Sequence, residues 1–562
     1  MKTIENTTMK CLLTGALVCA LSIPLPAWEP NSKDLDTAIK SGDFSGYLTN
    51  TTAWLNEKTP PKPGQKALEA QIKDPAFLTV LNQRQLIAKT SAEQLGAFAK
   101  ADPSNQAFLT WLFNNTPAMD LYLEGCVPIG LADREKDDYQ LSVAALDIWN
   151  KILLADPDAK EGIYLKLAIA TAIRPPGSVN IGAGGAPTPV DPLDRFKHFK
   201  VAHQNKELFP SFDHLTVWEY ARVVHSGATN EDLAWAREVI NTWRPDLKVN
   251  ELVVNSTSEV WRRNAPPQFY PAGYVNFKNI LAGGGKCGPR ASWAQMVCHA
   301  FGIPAIGVGQ PAHACVAYKS AFPMSQPQPG SAWKVGYGRG WQFSKLEGMA
   351  GPGFLAGVEE RSHEAEFSMV EHLRWLASAL GAADQSSAVM AVAHKIQSSL
   401  SALETDLTAS AKAAEAEKEL TPETTSAEVQ GGPLKVAAGA TTIEAAAFSS
   451  MSGIVVNDYS TGGKQVNFQK NIESSWVDYT LDVAAAGTYS LVMKVAAANV
   501  DQIFDIKAGA NDPVTVQVPW SKGLWDMTPS VDIKLEKGLQ TMRISAPFQR
   551  GIAVHYLELN AK

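Results

Sequence analysis

The chain has 562 residues, and at roughly 150 residues per domain this length predicts three to four domains. Apolar residues make up 45% and charged residues 19%, which excludes a disordered acidic chain and a fibrous repeat. The formal net charge is −7 and no Lys/Arg run exceeds a pair, so the electrostatic footprint of a nucleic-acid binder is missing. We expect a folded multidomain protein without a nucleic-acid partner.

Residues 1–27 have the pattern of a secretory signal peptide. Lys2 and Lys10 precede an apolar run from Cys11 to Ile23, and Leu25-Pro26-Ala27 follows as the cleavage region. The run is too short for a transmembrane helix, and no later stretch approaches ~20 uninterrupted apolar residues. We expect a secreted or periplasmic protein without a membrane span. The four remaining cysteines are too few for a disulfide framework.

Residues 28–250 are predicted to be helical. Ser142–Leu154 places most of its apolar side chains near one stripe, and Ile163–Ile173 is almost wholly apolar. The stretch Arg174–Pro192 is rich in proline and glycine and is predicted to be a loop. Helical periodicity returns in residues 349–420, which form a helical extension.

Residues 251–348 show a different, α+β pattern. A triple glycine and Lys286 precede Cys287, and a helix that ends at Gly302 follows. Four short runs after this helix have the composition of strands: Ala305–Val308, Ala312–Tyr318, Trp333–Val335 and Gly340–Phe343.

Cys287 and His313 are the candidate catalytic residues. Cys287 is predicted to begin the helix, where unpaired N–H groups and the helix dipole favour a thiolate. His313, 26 residues downstream, begins an apolar strand and can serve as the base that takes the thiol proton. The alternative is a buried core cysteine beside a structural strand histidine. Cys298 and Cys315 flank the site as core thiols or as a pair.

Three segments of this unit resemble the transglutaminase-like superfamily: Gly285-Lys286-Cys287-Gly288, then Cys298-His299-Ala300-Phe301-Gly302-Ile303-Pro304-Ala305, then Ala312-His313-Ala314. The resemblance covers residues 251–348. It implies a papain-like core with Cys287 as nucleophile and His313 as base. The family supplies an Asp or Asn after the histidine, but none occurs between Ala314 and His363. The resemblance places Gln342 in that third position.

Two functions stay open because the Gln342 amide carries no charge, and an orienting residue can change a rate by several powers of ten. The first is a cysteine hydrolase or acyltransferase that acts on amide bonds through a Cys thioester, with hydrolysis preferred because water is the abundant acceptor outside the cell. The second is a non-catalytic transglutaminase-like scaffold that binds extracellular or cell-wall polysaccharide. Neither function requires a cofactor.

Residues 421–440 are rich in Thr, Glu, Gly and Ala and are predicted to be a linker. Residues 441–562 carry short strands and glycine turns typical of an antiparallel β-sandwich. Trp476-Val477-Asp478-Tyr479, Ala486-Gly487-Thr488-Tyr489 and Gly523-Leu524-Trp525 resemble β-sandwich carbohydrate-binding modules of families 6 and 35. The resemblance spans nearly the whole domain.

A sugar site needs flat aromatic rings for the sugar's C–H faces and polar groups for its hydroxyls. Trp520, Trp525 and Tyr459 lie in predicted loops and are the candidate carbohydrate-binding residues. The resemblance also implies a structural calcium ion, for which Glu444 matches the early acidic ligand while His555 stands where a late carboxylate is expected. No other metal site is assigned.

The predicted fold is therefore multidomain α+β. It comprises a helical N-terminal region, a transglutaminase-like α+β core and a C-terminal antiparallel β-sandwich. The expected partners are a polysaccharide, a glycoprotein or a peptide substrate.

Overall fold

The computed structural model describes residues 28–177, 189–249, 252–258, 260, 276–320, 332–414, 432–459, 462–468, 475–547 and 551–562. Residues 1–27 lie outside this part, so export stays a prediction. Within the described ranges, no helix combines the length and apolar character needed to cross a bilayer.

The N-terminal part is helical, as predicted. Its helices are α1 (Ser32–Ser41), α2 (Ser45–Lys58), α3 (Gln65–Ile72), α4 (Pro75–Thr90), α5 (Ala92–Ala101), α6 (Pro103–Phe113), α7 (Thr116–Cys126), α8 (Leu131–Lys136), α9 (Val143–Ala155), α10 (Gly162–Ile173), α11 (Pro192–Gln204), α12 (Val217–Val224), α13 (Asn230–Trp243) and α14 (Pro245–Val249). Several begin where an Asp or Asn side chain accepts a backbone N–H and proline follows, as at Asp74, Asp102 and Asn115.

The α+β unit follows the helical part. It contains α15 (Phe277–Gly283), α16 (Cys287–Ala300), β1 (Ala305–Gln310), β2 (His313–Lys319), β3 (Trp333–Gly336), β4 (Lys345–Leu346), β5 (Met349–Ala350) and α17 (Gly351–Ser362). The strands form one antiparallel sheet in the order β3-β2-β1-β4-β5. Val316 on β2 shares a core with α16, whereas Cys315 and Ala317 share one with α17. The sheet therefore lies between the two helices.

One predicted strand of this unit is wrong. Residues 341–343 form a 3-10 turn instead of extending a strand over Gly340–Phe343. Trp341 is buried and its ring lies 6.1 Å from that of Phe354 on α17, nearly parallel to it. Tertiary packing of this tryptophan thus overrides the local strand preference. Helices α18 (Glu364–Ala379) and α19 (Ala383–Ala414) then complete the helical extension.

The C-terminal part is a two-sheet β-sandwich, called the module below. Its strands are β6 (Leu434–Val436), β7 (Ala440–Glu444), β8 (Ser450–Ser452), β9 (Ile454–Asp458), β10 (Lys464–Phe468), β11 (Ser475–Val483), β12 (Gly487–Ala497), β13 (Gln502–Ala508), β14 (Val514–Val518), β15 (Trp525–Met527), β16 (Val531–Leu535), β17 (Gly538–Ala546) and β18 (Ile552–Ala561). All pairings are antiparallel except that of β6 with β11. Since β6 falls within the segment predicted as a linker, the sandwich includes residues before 441.

One sheet runs β15-β12-β18-β10-β9, with β16 and β7 paired to β12 and β18. The other runs β14-β13-β17-β11-β6, with β8 paired to β11. Alternate side chains fill the space between the sheets, and Tyr479 and Tyr489 are fully buried there. The core of the module is thus separate from the helical core.

The module docks on the rest of the chain through an interdomain interface at the ends of α13 and α15. The last four carbonyl groups of a helix lack an intrahelical donor. At α15, the Asn499 side chain donates to the Leu281 carbonyl at 2.8 Å, and the Val500 N–H donates to the Ala282 carbonyl at 3.0 Å. Asn499 is 1% exposed, so its hydrogen bond to Leu281 is shielded from solvent.

The end of α13 is capped in the same way. The Gln465 amide donates to the Thr242 carbonyl at 3.0 Å, and the Asn467 amide donates to the Trp243 carbonyl. Gln465 and Asn467 are both buried. Gly551 closes the contact, because a Cβ at this position would lie 2.8 Å from the Trp243 ring. The module is therefore held by specific bonds and not only by its linker.

We predict that Asn467→Ala loosens this interface. The buried Trp243 carbonyl loses its donor, which costs about 1–3 kcal/mol. Hydrogen exchange in peptides covering β10 and the end of α13 should then accelerate by roughly five- to hundredfold. Peptides from the sandwich interior should be unchanged.

The matched control is Asn511→Ala, whose amide donates to the Lys534 carbonyl on the exposed surface of the module. This change should leave exchange at the interface as it was. Equal exchange in the two variants would contradict the role given to Asn467.

Candidate functional site

Cys287 is the first residue of α16, where the sequence places it. Lys286 precedes it in an extended conformation, and its side chain makes no capping bond. The loop before the helix is tight, because a Cβ at Gly285 would lie 2.7 Å from Cβ of Pro289. Cys287 is a half-buried free thiol at a helix end that favours negative charge.

His313 begins β2 directly after the two-residue turn that joins β1 to β2. Ala312 in this turn has a φ of 54°, a strained value for a residue with a side chain. The Nε2 atom of His313 lies 2.7 Å from the carbonyl oxygen of Tyr337. Since a carbonyl only accepts, Nε2 carries the proton, and Nδ1 of the neutral ring keeps the lone pair of a base.

Gln342 does not contact His313. It is exposed in the turn after β3, and its amide donates to the Arg339 carbonyl at 3.4 Å. His313 bonds the backbone carbonyl of Tyr337, and the role that the resemblance gave to Gln342 stays a prediction. The 3-10 turn at Trp341 removes Gln342 from a strand beside β2. A carbonyl dipole orients the imidazole but supplies no full charge.

The chain brings Cys287 and His313 to the same end of the unit. Helix α16 and strand β1 run in opposite directions: His299 bonds the Ala305 carbonyl at 2.9 Å, and Gln295 lies near Gly307. Continuing this alignment places the start of α16 beside the β1–β2 hairpin.

Cys287 lies close enough to Cys315 on β2 for its charge to help raise the pKa of the Cys315 thiol. Strand alternation places His313 on the face of Cys315 and Ala317, which pack toward α17, while Val316 faces α16. Among the described residues, no hydrogen bond joins the Cys287 thiol to the imidazole. The catalytic pair therefore stays a prediction.

The other thiols are structural in character. Cys298 and Cys315 are buried and not bonded to each other, and Cys126 is also a free thiol. Burial, followed by the charge of the nearby Cys287, raises the pKa of Cys315 to about 11. Burial raises the pKa of Cys126 to about 12 and that of Cys298 further still.

Two of the three predicted sugar-binding aromatics come together on the module. Tyr459 follows β9 and Trp525 begins β15, and their ring centroids are 5.4 Å apart. His555 on β18 joins them, stacked on Tyr459 at 3.7 Å and 12° between planes and lying 5.8 Å from Trp525. Tyr556 adjoins His555 at 5.4 Å. We call these four residues the aromatic cluster.

A β-bulge accounts for the position of His555. Between β12 and β18 the register shifts, so that Lys494 pairs with Tyr556 and Val495 with Val554. His555 is the extra residue, and a bulge re-aims the side chain it carries. The Lys494 ammonium lies 5.6–6.0 Å from the rings of Tyr459, Trp525 and Tyr556. Sequence reasoning missed Lys494 and Tyr556, since a bulge has no strong sequence signal.

Trp520 is the third predicted sugar-binding aromatic. No ring contact joins it to Tyr459 or Trp525 within the described residues, and Lys522 lies 5.8 Å from its ring. Glu444 is exposed on β7 and belongs to no group of three metal-capable side chains in the part of the chain described. The calcium ion that the resemblance implied therefore stays a prediction.

Comparison with known proteins identifies the module. Residues 444–560 match the family model "Carbohydrate binding module (family 6)". The predicted carbohydrate-binding module is thereby confirmed. No curated relative matches the chain. The transglutaminase-like resemblance of residues 251–348 stays a prediction.

Several solved structures are similar to the module. The C-terminal CBM6 of LamC from Zobellia galactanivorans shares 19% identity over 22% of this chain and 98% of its own, with a TM-score of 0.20. CBM6cm-2 of Cellvibrio mixtus lichenase 5A shares 21% identity over 22% of this chain and 97% of its own, with a TM-score of 0.20. A β-1,3-glucan binding CBM6 from Bacillus halodurans shares 19% identity over 23% of this chain and 100% of its own, with a TM-score of 0.20.

We predict that iodoacetamide at pH 7 alkylates Cys287 well before the other three cysteines. The raised pKa values of the other three thiols keep them protonated, and Cys298 and Cys315 are also enclosed, whereas Cys287 lies at a helix end that favours a thiolate. Peptide mapping by mass spectrometry from pH 5 to 9 measures each rate. Cys287→Ser should remove the fast-labelled peptide.

The same assay tests the pairing of the two candidate residues. If His313 reaches the thiol in solution, His313→Ala should slow labelling near pH 6 by about tenfold or more, because the thiolate loses its imidazolium partner. An unchanged pH profile would show that the two residues do not act together.

Proposed function

We propose that this protein binds polysaccharide through the aromatic cluster of its C-terminal module. The observation that carries the proposal is the convergence of Tyr459, Trp525 and Tyr556 around Lys494 on one sheet. The family 6 match supports it, because it covers all four of these residues.

The chemistry of the cluster suits a sugar. Half-buried rings at different tilts offer π faces for pyranose C–H groups, and the Lys494 ammonium can donate to hydroxyl or ring oxygens. Burial lowers the pKa of His555, so the ring stacked on Tyr459 is uncharged near neutral pH. Met527, 37% exposed beside Tyr556, extends the apolar surface.

The position of the cluster also favours an extended ligand. Leu524, immediately before Trp525, packs against the large helical core. The sugar face therefore borders the interdomain interface, and a long chain can continue from the module onto the helical part. This favours a polysaccharide over a single free sugar.

We predict that Trp525→Ala and Tyr459→Ala each weaken polysaccharide binding by about tenfold or more, the equivalent of about 1.4 kcal/mol. The loss follows from removal of one stacking face. Affinity electrophoresis against β-1,3-glucan, β-1,4-glucan and mannan measures the effect.

Trp520→Ala and Trp476→Ala are the matched controls. Trp476 lies under Arg543 at 3.8 Å on the other sheet of the module, away from the cluster. Both variants should bind as the unmodified protein does. Loss of binding at Trp520 with retention at Trp525 would transfer the site to Trp520 and overturn this assignment.

The second candidate function is a cysteine hydrolase or acyltransferase acting on an amide of a glycoprotein or peptide. The transglutaminase-like resemblance and the position of Cys287 at the start of α16 favour it. The thiolate attacks the amide carbonyl, the C–N bond breaks, and the amine leaves with the proton held by His313. Water then cleaves the thioester and restores the thiol.

The non-catalytic scaffold is the alternative to this second function. One observation favours it: the partner of His313 is an uncharged backbone carbonyl. In that case the α+β unit serves as a support for the glycan-binding module.

Hydroxylamine distinguishes an enzyme from a scaffold, because it intercepts any acyl-enzyme and gives a hydroxamate. We predict hydroxamate formation from peptidoglycan peptides or casein, at least tenfold above Cys287→Ser and His313→Ala. Cys298→Ser, which alters a buried thiol, is the control and should keep the activity. Equal hydroxamate yields from the unmodified protein and Cys287→Ser would contradict the enzyme function and support the non-catalytic scaffold.

A further inference from the structure

A cluster of three metal-capable side chains lies in the helical part, away from the candidate sites above. Asp120 and Glu124 are four residues apart on α7, a spacing that puts both carboxylates on one face of the helix. His372 on α18 faces them. One ligand atom from each of the three residues lies within 4.8 Å of the others.

The imidazole is the centre of the cluster. Nε2 of His372 lies 2.6 Å from Oδ1 of Asp120 and 3.9 Å from Oε1 of Glu124. Its side chain is only 6% exposed, and the ring of Trp375 lies against it at 5.0 Å. A nitrogen and two carboxylate oxygens thus converge in a partly dry site.

Two oxygen atoms beside this cluster lack the donors that buried acceptors require. Oε1 of Glu124 is buried and has no hydrogen-bond partner. Asn82 on α4 is fully buried and donates to Oδ1 of Asp120 at 3.2 Å, while its own Oδ1 has no partner. An amide flip would turn this second oxygen toward Asp120. Unsatisfied buried acceptors are uncommon and a cation satisfies them.

Neighbouring cations do not take this role. Arg361 approaches Glu124, but its guanidinium donates to the backbone carbonyls of Glu124 and Val127 at 3.4 and 2.6 Å. Arg134, the next arginine on this side, is bound to Glu360 and Glu371. Among the described residues, the imidazole is the positive group nearest to both carboxylates, and Arg361 acts on Glu124 without forming an ion pair with it.

A small cavity adjoins the cluster on the side of Glu124. Glu124 lines a cavity of about 50 Å³ together with Lys166, Thr216 and Arg361. A single water needs ~10–15 Å³ on the same measure, so the cavity can hold water beside the Glu124 carboxylate.

We propose that Asp120, Glu124 and His372 bind one divalent transition-metal ion, Zn²⁺ in the first instance, with Asn82 as an additional oxygen ligand or positioning residue. Imidazole and carboxylate ligands suit Zn²⁺ and Mn²⁺, whereas a site for Ca²⁺ would be built of oxygens alone. The ion ties α7 to α18 and so joins the first helices to the helical extension.

The experiment uses the full chain without an affinity tag, dialysed against a chelator and titrated with Zn²⁺ by calorimetry. We expect one Zn²⁺ ion per chain and a higher unfolding temperature when the ion is bound. X-ray absorption spectroscopy at the zinc edge should show only nitrogen and oxygen ligands. Glu124→Gln and His372→Ala should each weaken binding at least tenfold. Circular dichroism of the metal-free variants separates loss of the site from loss of the fold.

Asp213→Asn is the matched control, because Asp213 forms a similar carboxylate–histidine contact with His203 at 2.8 Å on the surface. It should bind Zn²⁺ as the unmodified chain does. Mn²⁺ bound at the same stoichiometry and lost in the same variants would also support the site. Three results would each overturn the proposal. They are sulfur ligands in the zinc X-ray absorption spectrum, unchanged Zn²⁺ affinity in Glu124→Gln and His372→Ala, and no binding of either ion at millimolar concentration.

Discussion

The capping of helix ends by the module is the constraint on which the arrangement of this protein depends. Asn467 and Asn499 donate to carbonyl groups that the ends of α13 and α15 cannot satisfy themselves. A module attached only through a linker would leave these groups to water and would be free to rotate. Here the loss of the buried bonds opposes rotation, so the aromatic cluster keeps one orientation relative to the helical core.

Periodic sequence patterns predicted the local structure well, and tertiary packing accounts for what they missed. Helices α9 and α10 follow the predicted segments closely, because the apolar residues of α9 recur near one stripe and α10 is apolar and buried nearly all round. The turn at Trp341–Phe343 depends instead on Phe354, which belongs to a later helix. No pattern within the turn itself contains that information.

In the candidate sites, too, local sequence patterns identified some residues, and tertiary packing determined the others. Tyr459 and Trp525 were identifiable as aromatic residues in predicted loops, but their partner His555 depends on a bulge between β12 and β18. The contact between Asp120 and His372 joins residues 252 positions apart, with ordinary helical sequence around each. Sequence spacing identifies a candidate site only where the residues that form it are close together in the chain, as with Cys287 and the start of its helix.

The interdomain interface also links the two proposed functions. The carbonyls of Leu281 and Ala282, which the module caps, lie a few residues before Cys287 on the same continuous segment. The module therefore fixes the helix that leads into the loop before Cys287 as well as the direction of its own aromatic cluster. For an enzyme, this geometry selects amides carried by a glycan already held on the module, because the thiol and the sugar face cannot move independently. For a scaffold, the same bonds transmit the load of a bound polysaccharide to the helical core instead of to a linker.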